Sequence, residues 1–397
     1  MGCRPLELWK KNLYSLWGAQ FAAGVGLSMI VPFLPLYLQD LGVTDPEAVK
    51  VWSGFLFSAP FMVSAFLQPF WGVMGDRYGR KPMVVRAMLA LALANFLMGF
   101  AKTAPQLLIL RFFQGSLSGF VAPSLALVTS TTPENRTGQA LGTLQSSLVT
   151  GMIIGPLIGG LLAHFIGYRG LFFGTGFLCT VGGIVAIAFV HEDFVKKEGQ
   201  RRPGIFHNIR FVFQTPHLRL MFLLLVLVQV SIQLVGPFLS LYVEYLKFPH
   251  DYVALMSGFV FGITGVTNAA TAPSWGRRGD KVGHWKVLRY CLLGLMLLYL
   301  PQAFVTDAYQ LLALRAGLGI FLGGLLPTVQ TIVQRSTEQE NRGGIFGIFQ
   351  SALLIGMMIG PLLGGFLSAS LGLRTIFLVT TGVIFLAVLW ERKTSPA

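Results

Sequence analysis

Two arginines lie inside long apolar stretches, 204 positions apart. Arg111 precedes Gln114 by about one helical turn, and Arg315 repeats the setting in the second half of the chain. A charge is costly in apolar surroundings, so it is a functional candidate by default, here for holding an anionic group. The alternative is that Arg111 extends toward the nearby end of its helix. We favour function for Arg111, because Gln114 and a glycine-rich stretch follow it.

Uncharged polar side chains occur in the same kind of apolar sequence. An amide there either lines a cavity and bonds a ligand or forms a hydrogen bond between helices, and neither alternative is excluded for any one residue. The candidates for lining a cavity, together with Arg315, are Gln20, Gln114, Gln229, Gln233 and Gln330.

The elements that would position these side chains are membrane-spanning helices. Of 397 residues, 54% are hydrophobic and only 12% are charged, whereas soluble proteins are about a quarter charged. Apolar stretches of about twenty residues recur, the length that a helix needs to cross a bilayer. The predicted fold is therefore an all-α membrane protein with twelve spans, at roughly 13–38, 51–74, 83–101, 106–128, 139–163, 170–190, 218–243, 252–274, 287–304, 310–332, 344–368 and 375–390.

The basic residues set the predicted orientation. Of the 30 Lys and Arg residues, 23 fall in or beside the segments on one side of the spans, and 5 fall on the other side. The positive-inside rule then places both termini in the cytoplasm. The same asymmetry accounts for the net charge of +14 without a nucleic-acid partner.

An internal repeat divides the chain. A shift of 204 to 206 residues superimposes Trp71-Gly72 on Trp275-Gly276 and Gly155-Pro156 on Gly360-Pro361, among many ordered matches. The sequence therefore predicts a six-helix bundle over 1–190, a polar cytoplasmic linker over 191–217 and a second six-helix bundle over 218–397. Parallel repeats of this kind are typical of transporters that hold a ligand near the membrane midplane.

Four motifs resemble those of the major facilitator superfamily, and the resemblance covers essentially the whole chain. They are PFLPLY at 32–37, GVMGDRYGRK at 72–81, LRFFQG at 110–115 and GMIIGPLIGG at 151–160. The first and last are similar to motifs of twelve-span antiporters that exchange drugs for protons. The resemblance implies a proton-coupled exporter of amphiphilic drugs or related small molecules, acting by alternating access in the bacterial inner membrane.

The resemblance also implies roles for individual residues. The loop at 72–81 would gate the inner side, with Asp76 against the N-terminus of the eleventh span. Arg111 would take part in proton coupling. The gating residues are Gly72, Gly75, Asp76, Arg77, Gly79 and Arg80. A turn that merely anchors orientation is the alternative for this loop.

Glycines at intervals of four residues occur in the motif at 151–160 and in its repeat in the second half of the chain. Such spacing permits close helix packing, and a proline inside a helix can add a kink. The residues concerned are Gly151, Gly155, Pro156 and Gly159, with Gly360 and Pro361 in the repeat. Plain packing without a hinge is the alternative, and both are compatible with transport.

Proton exchange needs a titratable group near the cavity, yet no Asp or Glu lies inside the twelve predicted spans. Asp40 and Glu244, at outer span ends, are the predicted proton carriers, and His164 is a third candidate. A solvated loop residue is the alternative for each. With Arg111 and Arg315 as the charges of the predicted cavity, the expected substrates are neutral, zwitterionic or anionic amphiphiles rather than permanent cations.

Other functions find less support in the sequence. No phosphate-binding loop, catalytic triad, metal-ligand set or cofactor motif stands out, so we expect no enzyme, metal or cofactor. A metabolite or sugar transporter of the same fold is the main alternative, and a non-transporting receptor is the alternative of another class. The expected partners are the substrate, protons and membrane lipid, and the expected state is a monomer.

Overall fold

A computed structural model of the chain describes residues 8–133, 136–192, 205–337 and 342–394. Across these ranges the secondary structure is helical, and no strand occurs. Ten helical segments within them are long and apolar enough to cross a membrane. The described part of the chain divides by its internal contacts into two compact units, and the division falls inside two helical stretches that the sequence predicts as single spans.

The first unit comprises residues up to 33 and residues 62–199. Its helices are α1 (Leu8–Ile30), the second part of α3 (Pro46–Tyr78), α4 (Arg80–Gly99), α5 (Ala104–Leu117), α6 (Val121–Thr131) and α7 (Thr137–Phe189). The second unit comprises residues 34–61 and those from 200 onward. Its helices are α2 (Leu34–Asp40), the first part of α3, α8 (Ile205–Gln214), α9 (Pro216–Val235), α10 (Leu239–Tyr245), α11 (Val253–Val282), α12 (His284–Gln302), α13 (Ala308–Arg335), α14 (Arg342–Leu371) and α15 (Leu373–Thr394).

Helix α7 is a hairpin although its 53 residues are nominally one helix. Its first arm follows α1 in the same direction, because Gly151 lies against Phe21 and Gly159 lies against Met29. A straight helix of this length would measure about 80 Å, far more than the bilayer thickness. The single non-helical residue is Gly167, with φ of 67° and ψ of 174°.

The second arm of α7 returns along α1 in the opposite direction. Gly26 of α1 lies against Thr175, and Ala19 lies against Gly182. The hydroxyl of Thr175 donates to the carbonyl oxygen of Gly26 at 2.7 Å. A chain reversal at Gly167 matches the predicted break between 163 and 170, and it uses a left-handed conformation that glycine adopts readily.

The glycine motif of the first unit packs α7 directly on α1. A Cβ added at Gly151 would lie 2.9 Å from the carbonyl oxygen of Phe21, and one at Gly155 would lie 2.6 Å from that of Val25. The hydroxyl of Ser28 donates to the carbonyl oxygen of Gly151 at 3.1 Å. These distances leave no room for a larger side chain, as expected where two helix backbones touch.

The second unit repeats this packing between α9 and α14. A Cβ added at Gly356 would lie 2.5 Å from the Cβ of Gln229, and one at Gly360 would lie 2.6 Å from that of Gln233. Gly364 lies against Leu234 in the next turn. The two glycine motifs therefore place equivalent helices in equivalent contact inside each unit.

Hydrogen bonds recur at the same spacing. The indole nitrogen of Trp71 donates to the carbonyl oxygen of Ser116 at 2.8 Å. That of Trp275 donates to the carbonyl oxygen of Ile320 at 2.7 Å, with both partners shifted by 204 positions. The first bond links α3 to α5, which carries Arg111, and the second links α11 to α13, which carries Arg315. The sequence repeat therefore corresponds to the same helix-to-helix contacts inside each of the two units.

The turn after each of these tryptophans also recurs. Gly79, before α4, has φ of 101°, and Gly283, before α12, has φ of 96°. A residue with a side chain would be strained in this conformation. The backbone conformation at Gly79, the last glycine of the predicted gating loop, therefore explains why glycine occupies this position, whether or not the loop acts as a gate.

Several helices are longer than predicted. Helix α3 continues to Tyr78 rather than 74, α11 to Val282 rather than 274, and α15 to Thr394 rather than 390. Charged residues end an apolar stretch but do not end a helix, because their side chains can extend into the polar interface. Residues 193–204 of the predicted linker lie outside the described residues.

Candidate functional site

Arg111 lies in α5 with a guanidinium that is almost completely buried, since 8% of the residue is exposed. Its Nη1 donates to the side-chain oxygen of Gln114 at 2.9 Å, one turn along the helix. Its Nε and Nη2 are buried and have no hydrogen-bond partner in the described part of the chain. Such donors favour an anion or a polar ligand, because an unpaired buried donor is costly. The side chain does not extend into solvent, in contrast to the snorkelling alternative.

Arg315 occupies the equivalent place in α13 and is 4% exposed. Its guanidinium carbon lies 5.7 Å from the ring centre of Tyr299 and 6.0 Å from that of Phe377. Cations within about 6 Å of an aromatic ring are attracted to its face. The position that corresponds to Gln114 is occupied here by Leu318, so the second unit supplies rings where the first supplies an amide.

A third cation, Arg86, is not among the predicted site residues, because it lies beside the basic loop before α4. It lies in the second turn of α4, and its guanidinium carbon is 3.5 Å from the ring centre of Trp71. Its Nη2 donates to the carbonyl oxygen of Ser118 at 3.3 Å. Arg86 falls inside the predicted span 83–101, so its position within an apolar segment is the sequence signal that identifies it as a candidate.

The predicted cavity amides do not form one group. Gln20 in α1 is fully buried, and neither atom of its amide has a partner among the described residues. Gln229 and Gln233 are half-buried on α9, against the glycines of α14. Gln330 is exposed and lines a water-sized cavity of about 20 Å³ inside the second unit. Of the two predicted cavity amides in the first unit, Gln114 is the one that is hydrogen-bonded to a buried charge, that of Arg111.

The loop region 72–81 is organised around the start of α4. Gly75 lies next to Arg80, since a Cβ added there would be 3.0 Å from Nη1 of that arginine. Gly72 has open space around it, and Arg77 is exposed. Asp76 belongs to the last turns of α3. The gating roles of these residues stay predictions.

Glu192 caps α4, although it belongs to the predicted linker 191–217 and is not among the predicted site residues. Its two carboxylate oxygens accept the backbone N–H groups of Arg80 and Lys81, each at 2.7 Å. The ammonium of Lys81 donates to the carbonyl oxygen of Ile187 at 2.9 Å. A carboxylate at a helix N-terminus satisfies free donors and interacts favourably with the helix dipole.

The equivalent end of α12 carries different chemistry. His284 Nε2 lies 3.3 Å from a carboxylate oxygen of Asp280, and Arg335 Nη2 lies 3.6 Å from the same oxygen. Asp280 is the residue that corresponds to Asp76 in the repeat. The carboxylate described at this turn is Glu192 in the first unit and Asp280 in the second.

The predicted proton carriers lie near helix ends. Asp40 is exposed at the last residue of α2, and His164 is exposed near the end of the first arm of α7. Glu244 in α10 is half-buried, and its carboxylate accepts the amide of Gln39 at 3.2 Å. Nothing brings these three side chains together within one unit.

A buried carboxylate lies one residue beyond the last predicted span. The membrane-competent helix Leu373–Arg392 contains Glu391, which is fully buried. Its carboxylate accepts two bonds from Arg289, at 2.8 and 3.1 Å. The predicted last span stopped one residue short, at 390. Arg289, like Arg86, was counted with a loop although it lies in a helix.

Metal and sulfur chemistry find no support in the described residues. No group of three or more His, Cys, Asp or Glu side chains there could hold a metal ion. Cys179 and Cys291 are free and buried.

Apolar helices of membrane length, a duplicated framework and buried cations define a multi-pass membrane transporter. A model of the Major Facilitator Superfamily matches residues 16–308 and 254–397. The chain belongs to that superfamily and is therefore a secondary transporter of the bacterial inner membrane, not an enzyme.

Curated relatives match almost the whole chain. Multidrug resistance protein MdtG of Dickeya zeae (strain Ech586) is 40% identical over 385 residues, which are 96% of this chain and 93% of that protein. MdtG of Salmonella typhimurium is 38% identical over 387 residues, or 96% of this chain and 95% of that protein. The resemblance noted in the sequence is thus confirmed at the level of the MdtG-type group.

Solved structures share the fold. A bacterial homologue of the human lysosomal transporter Spinster, in an inward-facing and unoccupied conformation, gives a TM-score of 0.79 at 14% identity, covering 100% of both chains. The nucleoside transporter NupG gives 0.78 at 12% identity, covering 97% of this chain and 99% of the other. At these identities the likeness shows the fold alone.

Proposed function

We propose that the chain exports amphiphilic small molecules from the cell in exchange for protons, by alternating access. The observation that carries this proposal is the identity of about 40% to proteins named for multidrug resistance, over 96% of the chain. The buried Arg111–Gln114 pair supports it, because a polar group held at such cost in an apolar helix is typical of a transport pathway.

We also propose twelve spans with both termini in the cytoplasm. Ten membrane-competent segments become eleven when α7 is divided at its reversal, Gly167, and twelve when the 19-residue helix α12 is added. The excess of Lys and Arg on one side supports the orientation. The two bundles over 1–190 and 218–397, joined by the linker 191–217, complete this arrangement, and the recurring contacts inside each unit support the repeat.

Three residues are proposed for coupling. Arg111 would set the protonation of a nearby group through its positive charge, and Asp40 and Glu244 would carry the proton. Glu244 is the better placed of the two acids, because it is half-buried and hydrogen-bonded, whereas Asp40 is exposed. His164 is exposed and comes third.

The substrate class follows from the buried charges. Arg111 and Arg315 are buried cations without a carboxylate partner among the described residues, and the buried Glu391 is already neutralised by Arg289. Buried cations without a fixed counter-charge favour neutral, zwitterionic or anionic amphiphiles as substrates over permanent cations. Lipid surrounds the protein, and nucleic acid, metal and cofactor have no role in the proposed cycle. A monomer is sufficient for it.

The test is proton flux in liposomes. Purified protein is reconstituted with a pH-sensitive dye inside, a proton gradient is imposed, and anionic, neutral, zwitterionic and cationic amphiphiles are added in turn. Flux that depends on the compound, and that falls in Arg111→Ala and Glu244→Gln, is the expected result. Glu47→Gln is the matched control, because Glu47 is an exposed acid at the start of α3.

Two outcomes would overturn the proposal. If no amphiphile moves protons while a labelled metabolite still crosses, the protein is a metabolite transporter of the same fold. If a quaternary ammonium dye is the best substrate of the wild type, the substrate class is wrong although exchange stands.

A further inference from the structure

A cavity of about 270 Å³ opens within the second unit, where α2, α3, α10 and α15 meet. Two of its wall residues carry opposite charges, Lys50 of α3 and Glu244 of α10. Apolar side chains form another part of the wall, namely Val49, Leu241 and Leu373. Its volume lies just below the range of roughly 300–1,000 Å³ for drug-sized ligands, so its ligand is smaller than a drug.

The two charges share the cavity without neutralising each other. Lys50 forms no ion pair within 4 Å in the part of the chain that the structure describes. The contact made by the Glu244 carboxylate is the 3.2 Å hydrogen bond from the Gln39 amide. Both charged residues are half-buried, so water screens them less than it screens surface charges. A half-buried cation and anion held apart leave room for a ligand that pairs with both.

Arg374 adds positive charge beside the cavity wall. It follows the wall residue Leu373, and its guanidinium carbon lies 5.6 Å from the ring centre of Tyr245, another wall residue. Because Glu244 is the acid in the wall, a ligand ammonium belongs at Glu244. The anionic end of a ligand belongs with Lys50.

We propose that this cavity binds a small zwitterion with an apolar body, such as an amino acid with an aliphatic side chain. Its ammonium pairs with Glu244, its carboxylate pairs with Lys50, and its apolar part lies against Val49, Leu241 and Leu373. This site does not rest on the proposed export of drugs, because its size and mixed charge suit a different class of molecule.

Binding is tested by titration calorimetry on the full-length protein in lipid nanodiscs. The probes are L-leucine and 6-aminohexanoate, which differ in the separation of their charges. Leucinamide carries only the cation and N-acetylleucine only the anion. Saturable binding of at least one zwitterion is expected. Loss of either ligand charge should weaken binding about tenfold or more, since two charge pairs become one.

Variants assign the binding to the cavity. Lys50→Gln and Glu244→Gln should each weaken binding about tenfold, whereas Lys102→Gln, an exposed lysine of the first unit, should leave it unchanged. If a single variant folds poorly in size exclusion, the charge-exchanged double variant K50E with E244K replaces it and should restore binding. The inference is overturned if neither zwitterion binds, if singly charged analogues bind as tightly, or if the variants in Lys50 and Glu244 match the wild type.

Discussion

The surroundings of Arg111 and Arg315 differ more than the helices that carry them. Arg111 donates a hydrogen bond to Gln114, whereas Arg315 lies near the rings of Tyr299 and Phe377. Yet α5 and α13 are each tied to a tryptophan of their own unit by the same indole-to-carbonyl bond. The helix packing and the indole hydrogen bond are therefore the same in both units, whereas the side chains around the buried arginine differ.

The same contrast recurs at the turns before α4 and α12. Both turns use a glycine in the left-handed region. Glu192 caps one helix, whereas a carboxylate oxygen of Asp280 lies 3.3 Å from the ring of His284 at the other. Backbone contacts tolerate few residue types, because a larger side chain collides. Side-chain contacts can be replaced by others of similar energy, so they diverge sooner.

The largest effect is expected where both units use the same glycine contact. Gly155→Ala and Gly360→Ala each push a methyl group into the backbone of a neighbouring helix, which should cost about 1–3 kcal/mol of stability. The measurement is the thermal unfolding midpoint of the purified protein, followed by size exclusion.

Gly142→Ala is the control, because a Cβ there meets nothing within 4 Å. It should be neutral or slightly stabilising, since Ala favours helices over Gly. A loss in only one of the two test variants would mean that the frameworks are not equivalent.

The next effect belongs to the ion pair of Arg289 and Glu391 in the second unit. Glu391→Gln leaves Arg289 without its partner. The cost should be about 2 kcal/mol, below the usual figure for a fully buried pair because Arg289 is partly exposed. The unfolding midpoint should fall accordingly.

A double variant separates the charge from the packing. Replacing both Arg289 and Glu391 by Leu should recover at least half of the lost stability, because no charge is then left unpaired. If the double variant is no better than the single one, the pair matters through its shape and not through its charge.

An exchange of the two arginine surroundings tests function. Gln114→Leu gives the first unit the residue of the second, and it should lower compound-dependent proton flux about tenfold, which corresponds to about 1.4 kcal/mol. The reverse change, Leu318→Gln, should leave flux within about twofold of the wild type while lowering stability, because it buries an amide in an apolar core. Equal flux in both variants would show that the polar partner of Arg111 is not used in transport.

The smallest effect is expected at the cap of α4. Glu192→Gln keeps one acceptor but removes the charge, so it should cost about 0.5–1 kcal/mol at the helix N-terminus. The unfolding midpoint measures this, with Lys102→Gln as the neutral comparison. A change larger than that of Glu391→Gln would place this cap among the main supports of the first unit.

Much of the framework was predictable, because it depends on residues with few substitutes. The glycines at 151–159 and 356–364, the paired tryptophans and the left-handed turns all appear in the sequence at a constant shift. The side-chain partners were not predictable. Nothing near Glu192 or Glu391 in the sequence indicates the helix end or the arginine that each contacts, since these partners lie about a hundred residues away.

Boundaries caused the remaining errors. Arg86 and Arg289 lie near the ends of the predicted spans 83–101 and 287–304, so they count with the adjoining basic loops in the charge argument. Glu391 lies one residue beyond the last predicted span, because the helix continues past the point where apolar sequence stops. The predicted cavity amides stay unproven for a different reason. A buried amide such as Gln20 and a ligand-binding amide have the same sequence signature, and only their neighbours distinguish them.

The reversal at Gly167 has a practical consequence for handling the protein. Two long helices are joined there with a single non-helical residue, so this end of the hairpin offers almost no loop. An epitope tag, a reactive probe or a fusion partner inserted at 167 would have to replace a left-handed glycine and separate two packed arms. The turn before α3, where Gly42 has φ of 87° with open space around it, is the better attachment point.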